Sequence, residues 1–473
     1  MEDMKFTGEN CDNLIKAMPV LKRLNDLGYE AYLVGGSVRD MLISQMTGKA
    51  CMASDIDVTT NAVPEQVKEA FRDKKVIETG LKHGTVTVII EDSVNIGDKL
   101  SVEITTYRTD GKYSDNRRPD GVTFVNSLTE DLRRRDFTIN AIAMDDRGTV
   151  VDPFGGIEDL RRGVIRAVGN SDARFKEDGL RIMRALRFAA NLTCDKCAGE
   201  FIIQEETARA AFTNRHLLSG ISPERILSEF KKLIVGVNAG IVIRRYVDIL
   251  GIPLPELVAM KGMNQHNPHH RYDVLEHCIR TMENVSGSVH LKMAALFHDV
   301  GKPETFFMDE EGIGHMYGHP EAGERIVKAL LERLRADSYL RDRVAILVAN
   351  HQLLFREDKK LLKRRLNRFS PEVLMEILEI KRADNLATGT AQPELLERFQ
   401  RVSVLIDEIL REEECFSLRD LAIDGKDILA LGVEEGAEVG RILRKVLERV
   451  IDGELANEKE TLLREADQCR KDG

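Results

Sequence analysis

Tryptophan is absent from this chain, and aromatic residues make up only 5% of its 473 positions. Broad base-stacking platforms are therefore not expected. Cysteine is scarce too: seven residues, an odd and scattered set. That excludes a disulfide framework and points to a reducing, cytoplasmic setting. Cys194 and Cys197 form one CxxC with no second pair near it, which reads as two thiols in a connecting loop ahead of a structural zinc. No apolar run approaches the roughly 18 residues of a membrane span. The opening Met-Glu-Asp-Met-Lys leads into no apolar segment of the secretory type. An overall basic excess is also missing, the formal net charge being −10. This does not exclude a nucleic-acid partner, because the local field governs encounter. Arg133 to Arg187 holds 12 basic and 9 acidic residues, a local +3. A second basic stretch, Lys359 to Arg368, fits either phosphate contact or a solvated helix face.

A chain of this length accommodates about two to four domains. Up to about residue 145, short apolar runs alternate with helical patterns. AYLVGG, SDIDVTT, KVIETG, TVTVII, VEITTYR and INAIAM are strand candidates, and VPEQVKEAFRD is an amphipathic helix. Gly, Asn, Asp and Arg crowd residues 109–121, marking a long loop. From about 155 strands are expected to disappear, with helical periodicity running to the C-terminus. The fold class is α+β.

The densest chemistry begins at Leu-Val-Gly-Gly-Ser-Val-Arg-Asp, followed by Asp-Ile-Asp. Alternate strand residues share a face, so Asp55 and Asp57 point the same way. Two carboxylates this close repel unless something positive sits between them. A pair of Mg²⁺ ions would relieve that repulsion and clamp a triphosphate. Gly35 and Gly36 let the backbone approach phosphate, and Arg39 reaches it from the following helix. Glu103, flanked by Val and Ile, is the candidate third anion. Arg135, Asp136 and Asn140, in RRRDFTINA, can hold phosphate oxygens and ribose hydroxyls; a basic cap on a buried element is the alternative. In EDGLRIMRALR, Asp178, Arg181, Arg184 and Arg187 are spaced three apart, along one face of a helix. A carboxylate beside a guanidinium can imitate a base edge and select a nucleotide without a nucleic-acid template. The competing reading is an exposed salt-bridge ladder.

The segments LVGGSVRD, DID, TGLKHGTVTV, RRDFTINAIA, DPFGGIEDL and EDGLRIMRALRF, in this order, resemble the bacterial class II tRNA nucleotidyltransferases: the CCA-adding enzymes and their poly(A) polymerase relatives. The resemblance implies a DNA polymerase beta-like head and a helical neck, body and tail. It implies Mg²⁺ on Asp55 and Asp57, and nucleotide contacts from Gly36, Arg39 and Arg135. Asp136 and Asn140 would lie near the ribose, Asp178 and Arg181 would choose CTP or ATP, and Arg184 and Arg187 would complete the pocket. tRNA, CTP and ATP are the implied partners. Bacterial poly(A) polymerases typically carry Gly-Arg-Arg-Phe-Arg where this chain has Gly-Leu-Lys-His-Gly-Thr, and the 109–121 loop resembles an element that CC-only relatives lack. Complete CCA addition is favoured over a poly(A) polymerase or a partial enzyme.

Nine of eleven histidines fall between His266 and His351, a clustering that suggests metal chemistry. His277, His298-Asp299, His319, His351 and Asp384 combine imidazole and carboxylate, which suits a divalent transition metal or Mg²⁺ more than a thiolate zinc site. The H…HD…D order resembles the HD phosphohydrolases, some of which place further ligands where His319 and His351 stand. The expected organisation is a head over 1–150, neck and body over 151–260, an HD module over 261–390 and a tail over 391–473. A protein whose main activity is the HD hydrolase is the remaining alternative.

Overall fold

The structure, a computed structural model, describes residues 11–48, 55–91, 99–111, 121–194, 199–266, 271–389, 392–412 and 414–471. It divides into two compact units, Met1–Val258 and Ala259–Gly473. Residues 112–120 of the predicted long loop lie outside the described residues, as do 195–198 of the CxxC segment.

The first unit is built on a seven-stranded mixed sheet. Ala31–Val34 (β1), Ile56–Thr60 (β2), Lys75–Gly80 (β3), Thr85–Glu91 (β4) and Lys99–Thr106 (β5) are ordered β3-β4-β5-β2-β1, and Ala143–Met144 and Val150–Val151 complete the edge beyond β1. β2 and β5 run parallel and the other pairs antiparallel. Alternation sorts the two faces: Ile56 and Val58 of β2, and Val102 and Ile104 of β5, are buried, while Asp57 and Glu103 between them turn to the other side. Asp55 stands one residue ahead of β2 rather than within it. At the end of β1, Gly35 takes φ +76° and starts the helix Gly36–Thr47 that carries Arg39.

INAIAM is not one strand. Thr138–Asn140 forms a 3-10 turn and only Ala143–Met144 pairs. The Asn140 amide bonds Asp136 and Arg39, and those side-chain bonds hold the segment out of the ladder.

The expectation that strands end near 155 is also corrected. Val164–Ile165 pairs with Ile202–Ile203, Thr193–Cys194 with Gly199–Glu200, and Phe307–Met308 with Gly314–His315. Two-residue strands carry no readable alternation. Among the helices, Leu180–Asn191 and Pro223–Ile234 pack together through apolar stripes that include Ile182, Leu186, Ile226 and Phe230.

In the second unit, Val274–Glu283, Val289–Phe297, His319–Arg333, Ser338–Asn350 and Pro371–Ala387 pack on one another. A separate core around Ile428, Ile442, Val446 and Leu462 joins the last helices. In the basic helix Lys359–Arg368, Lys359 and Lys363 pair with Glu414, and Arg364 with Asp452. No described helix is long and apolar enough to cross a membrane.

Candidate active site and candidate metal centre

In the first unit, one cavity of about 510 Å³ gathers Gly35, Gly36, Arg39, Asp55, Asp57, Arg135, Asp136, Asn140, Asp178, Arg181, Arg184 and Arg187. Of the predicted transferase residues only Glu103 is not in its lining. Glu103 is nevertheless the direct register partner of Asp57 across the parallel β2–β5 pair.

The Asp55 and Asp57 carboxylates share part of the cavity with Arg135. Burial pushes the Asp57 carboxyl up; Arg135 opposes the shift and Asp55 adds to it. Glu103 is raised as well, by burial and by Asp57 and Asp55. A Cβ on Gly35 would stand 3.0 Å from the Arg135 guanidinium and 3.2 Å from the Asp57 carboxylate. Only glycine therefore combines this left-handed turn with close approach.

Arginines dominate the rest of the lining, and Arg39, Arg181, Arg184 and Arg187 each have a named partner. Arg39 donates to Asn140 Oδ1 at 2.7 Å, and Asn140 donates to Asp136 Oδ1 at 3.0 Å. Arg184 closes on Asp136 Oδ2 through Nε at 2.8 Å and Nη2 at 2.7 Å. Burial alone would raise the Asp136 carboxyl, but Arg184, Asn140 and Arg181 outweigh it and hold it well below the usual carboxylate range. Arg39, Arg184 and Arg187 also surround the Phe188 ring, with guanidinium carbons 5.0, 5.4 and 4.3 Å from its centroid. This is not a solvated ladder: the Arg181 and Arg187 side chains are only 11% and 12% exposed.

The predicted Asp178/Arg181 pair is corrected in one respect. Asp178 does not share a helix face with Arg181: its φ of −141° and ψ of 106° are extended, and the helix begins at Leu180. The two side chains do not bond one another. Asp178 accepts from the Leu180 N–H at 3.0 Å and from Arg225 Nη2 at 2.9 Å. Arg181 donates to Glu177 at 2.6 Å and to the Arg134 carbonyl at 3.0 Å. Both still line the same cavity, each fixed by a third residue.

Arg225 and Glu229 are functional candidates that the motifs left unnamed. Glu229, buried on the apolar face of Pro223–Ile234, meets Arg187 at 3.1 Å and Arg184 at 3.9 Å. A glutamate interrupting an apolar stripe was the available signal.

In the second unit the six predicted ligands converge. Asp299 is shared by two sets: Oδ2 faces His298 Nε2 at 3.2 Å and His277 Nε2 at 3.5 Å, and Oδ1 faces His319 Nε2 at 3.2 Å and His351 Nε2 at 3.6 Å. Asp384 Oδ1 lies 3.1 Å from His277 Nε2. Within each set the candidate ligand atoms lie within 4.8 Å of one another. The Nδ1 atoms of His298, His319 and His351 contact the carbonyls of Ala295, Met316 and Val348 at 2.9, 2.7 and 2.7 Å. A carbonyl can only accept, so each Nδ1 carries the proton and, in a neutral ring, Nε2 keeps the lone pair a metal needs. Nε2 atoms facing each other at 3.2 Å, in His277/His298 and in His319/His351, have the donor chemistry of a divalent-metal site. Lys302 Nζ, buried, bonds Asp299 Oδ2 at 2.6 Å and Gln265 Oε1 at 2.7 Å.

Three family comparisons match. Residues 31–166 match the Poly A polymerase head domain, 200–257 the probable RNA and SrmB-binding site of polymerase A, and 320–466 the putative tRNA nucleotidyltransferase domain 2. The CCA-adding enzyme of Lactobacillus helveticus is 36% identical over 95% of this chain and 96% of its own. That of Enterococcus faecalis is 34% identical over 97% of each. Among solved structures, the Bacillus stearothermophilus CCA-adding enzyme in complex with CTP superposes with a TM-score of 0.70 at 28% identity, covering 97% of this chain and 98% of that one.

Proposed function

The chain belongs to the CCA-adding enzyme family of tRNA nucleotidyltransferases, and on that premise we propose how its residues perform the reaction. It is a polymerase beta-like nucleotidyltransferase that adds C, C and A to tRNA 3′ ends from CTP and ATP. The observation that supports the assignment of residues is the convergence of Asp55, Asp57, the Gly35–Gly36 turn, Asp178 and Arg181 on one cavity.

Asp55 and Asp57, with Glu103 beside them, are the residues that would hold the family's divalent metal, for which Mg²⁺ is our assignment. The raised carboxyls of Asp57 and Glu103 fit a cation. When bound, such ions neutralise triphosphate charge and favour ionisation of the attacking 3′-hydroxyl. The Gly35–Gly36 backbone admits the phosphates, while Arg39 and Arg135 answer their charge. The Asp136–Asn140 pair faces the ribose. Asp178 offers an acceptor and Arg181 planar donors to the base edge, Arg225 and Glu177 keep the two in register, and Glu229 aligns Arg184 and Arg187. Attack on the α-phosphorus forms the new ester and releases pyrophosphate.

The second unit carries, in this reading, an HD phosphohydrolase over 261–390 between a neck and body over 151–260 and a tail over 391–473, the head ending near 150. His277, His298, Asp299 and Asp384, with His319 and His351 on the far oxygen of Asp299, would hold divalent transition-metal or Mg²⁺ ions. A cytoplasmic location accompanies the proposal.

The test is direct: purified chain, CTP, ATP, Mg²⁺ and a tRNA lacking its terminus, with the extended 3′ end sequenced. Addition stopping after C, C and A is expected; long A-tails from ATP alone would replace this reading with the poly(A) one.

A further inference from the structure

The short hairpin Phe307–His315 carries an aromatic stack that neither reaction uses. Phe307 and His315 are direct cross-strand partners with ring centroids 5.3 Å apart. His315 and Tyr317 stack at 5.3 Å with planes 19° apart. Phe307 and Tyr317 also meet, with centroids 5.8 Å apart and planes at 49°, so the three rings form one cluster. Two of its rings are open: Tyr317 is 74% exposed and Phe307 47%. A stack that served only to hold the hairpin together would gain by covering these faces. In a chain with 25 Phe and Tyr residues and no Trp, their concentration here is a local exception to the aromatic poverty of the whole.

The cluster is tied to the histidine centre by two routes. The Asp309 carboxylate bonds His315 Nε2 at 2.6 Å and accepts the Ile313 N–H at 2.8 Å, which orients the His315 ring. Met316, between His315 and Tyr317 in the chain, gives its carbonyl to Nδ1 of His319. Gly314 presses on the main chain of Gln265, where a Cβ would come within 2.3 Å of its oxygen, and the Gln265 side chain holds Lys302 against Asp299.

We propose that Phe307, His315 and Tyr317 form a platform that seats the nucleobase of a nucleotide whose phosphoester lies at the Asp299 centre. This deepens the hydrolase reading and rests on it for the phosphoester half. Flat, sequence-tolerant stacking is what every base offers, and the open ring face of Tyr317 matches it. The substrate class is then a nucleotide, either free or as the unpaired end of an RNA, and not a simple sugar phosphate.

The full chain is photolabelled with 8-azidoadenosine 5′-monophosphate and, separately, with an RNA oligonucleotide ending in 8-azidoadenosine, and labelled peptides are mapped. Label on residues 306–317, apart from any on head peptides, is expected; which reagent gives it tells a free nucleotide from an RNA end. AMP should displace hairpin label far better than ribose 5-phosphate. Tyr317→Ala, at so exposed a site, leaves folding intact and should raise the half-labelling concentration by about 5- to 150-fold, with Tyr317→Phe restoring it. No label on this hairpin, or equal displacement by AMP and ribose 5-phosphate, overturns the platform. Hairpin label without hydrolysis of any phosphoester supports the platform and overturns only the hydrolase reading.

Discussion

Replacing Arg225 with alanine isolates the pair proposed above as a stand-in for a template base. Its Nη2 supplies one of the two hydrogen bonds that orient Asp178, the other coming from the Leu180 N–H. A hydrogen bond between charged partners contributes about 1.5–3 kcal/mol. The two side chains are 27% and 16% exposed, and solvent screening places this pair in the lower part of that range, about 1.5–2 kcal/mol. If the orientation of Asp178 is needed at the moment of transfer, that loss corresponds to roughly 10- to 30-fold. It should appear as a fall in the ratio of kcat/KM for CTP over UTP on a tRNA lacking its terminal nucleotides. Because Arg225 acts only through Asp178, Arg225→Ala added to Asp178→Ala should cost nothing further. Single-turnover incorporation, with thermal midpoints to confirm folding, checks both. Losses that multiply in the double variant, or an unchanged CTP/UTP ratio in the single one, refute the reasoning.

Asp57→Ala should abolish addition of every nucleotide, whereas Arg181→Ala should keep transfer and relax CTP and ATP selection by about 5- to 150-fold, both read by sequencing the extended tRNA end. Asp136 titrates lower in the folded protein than its ordinary value, so its contribution to stability is present above the unfolded pKa and fades as pH falls through the folded one. The thermal midpoint gap between the parent and Asp136→Asn should therefore be constant from pH 7 to about 5 and shrink below about 4. Asp299→Ala removes the oxygen pair shared by both histidine sets. Metal analysis of the purified chain should show both sets emptied together, while addition of C and A persists; retention of one full metal equivalent would disprove the shared carboxylate.

How much of this was legible follows from the range of each interaction. The five strand patterns from AYLVGG to VEITTYR all became strands, because a buried face imposes a period of two that needs no knowledge of the partner. INAIAM failed since Asn140 spends its amide on Arg39 and Asp136, which stand 101 and 4 residues away. Apolarity alone cannot report such a commitment. The two-residue strands went unseen for a simpler reason: at that length there is no period to detect.

The site shows the same division more sharply. Chemistry written into contiguous motifs could be read directly, and residues from four separated segments, Gly35–Arg39, Asp55–Asp57, Arg135–Asn140 and Asp178–Arg187, meet in one cavity. What the motifs could not convey was who holds whom. Spacing put Asp178 and Arg181 along one helix face, yet Asp178 sits in extended backbone and is held by Arg225, 47 positions onward. Arg187 is likewise held by Glu229 from the neighbouring helix, and Arg184 by Asp136, 48 positions back. The physical consequence is that the proposed nucleotide-reading pair is not self-contained. Each member is positioned by its own anchor, so its geometry can be altered one side at a time. A helix-borne pair locked to itself would instead respond to Arg225→Ala only through its stability, and the CTP/UTP ratio separates the two arrangements.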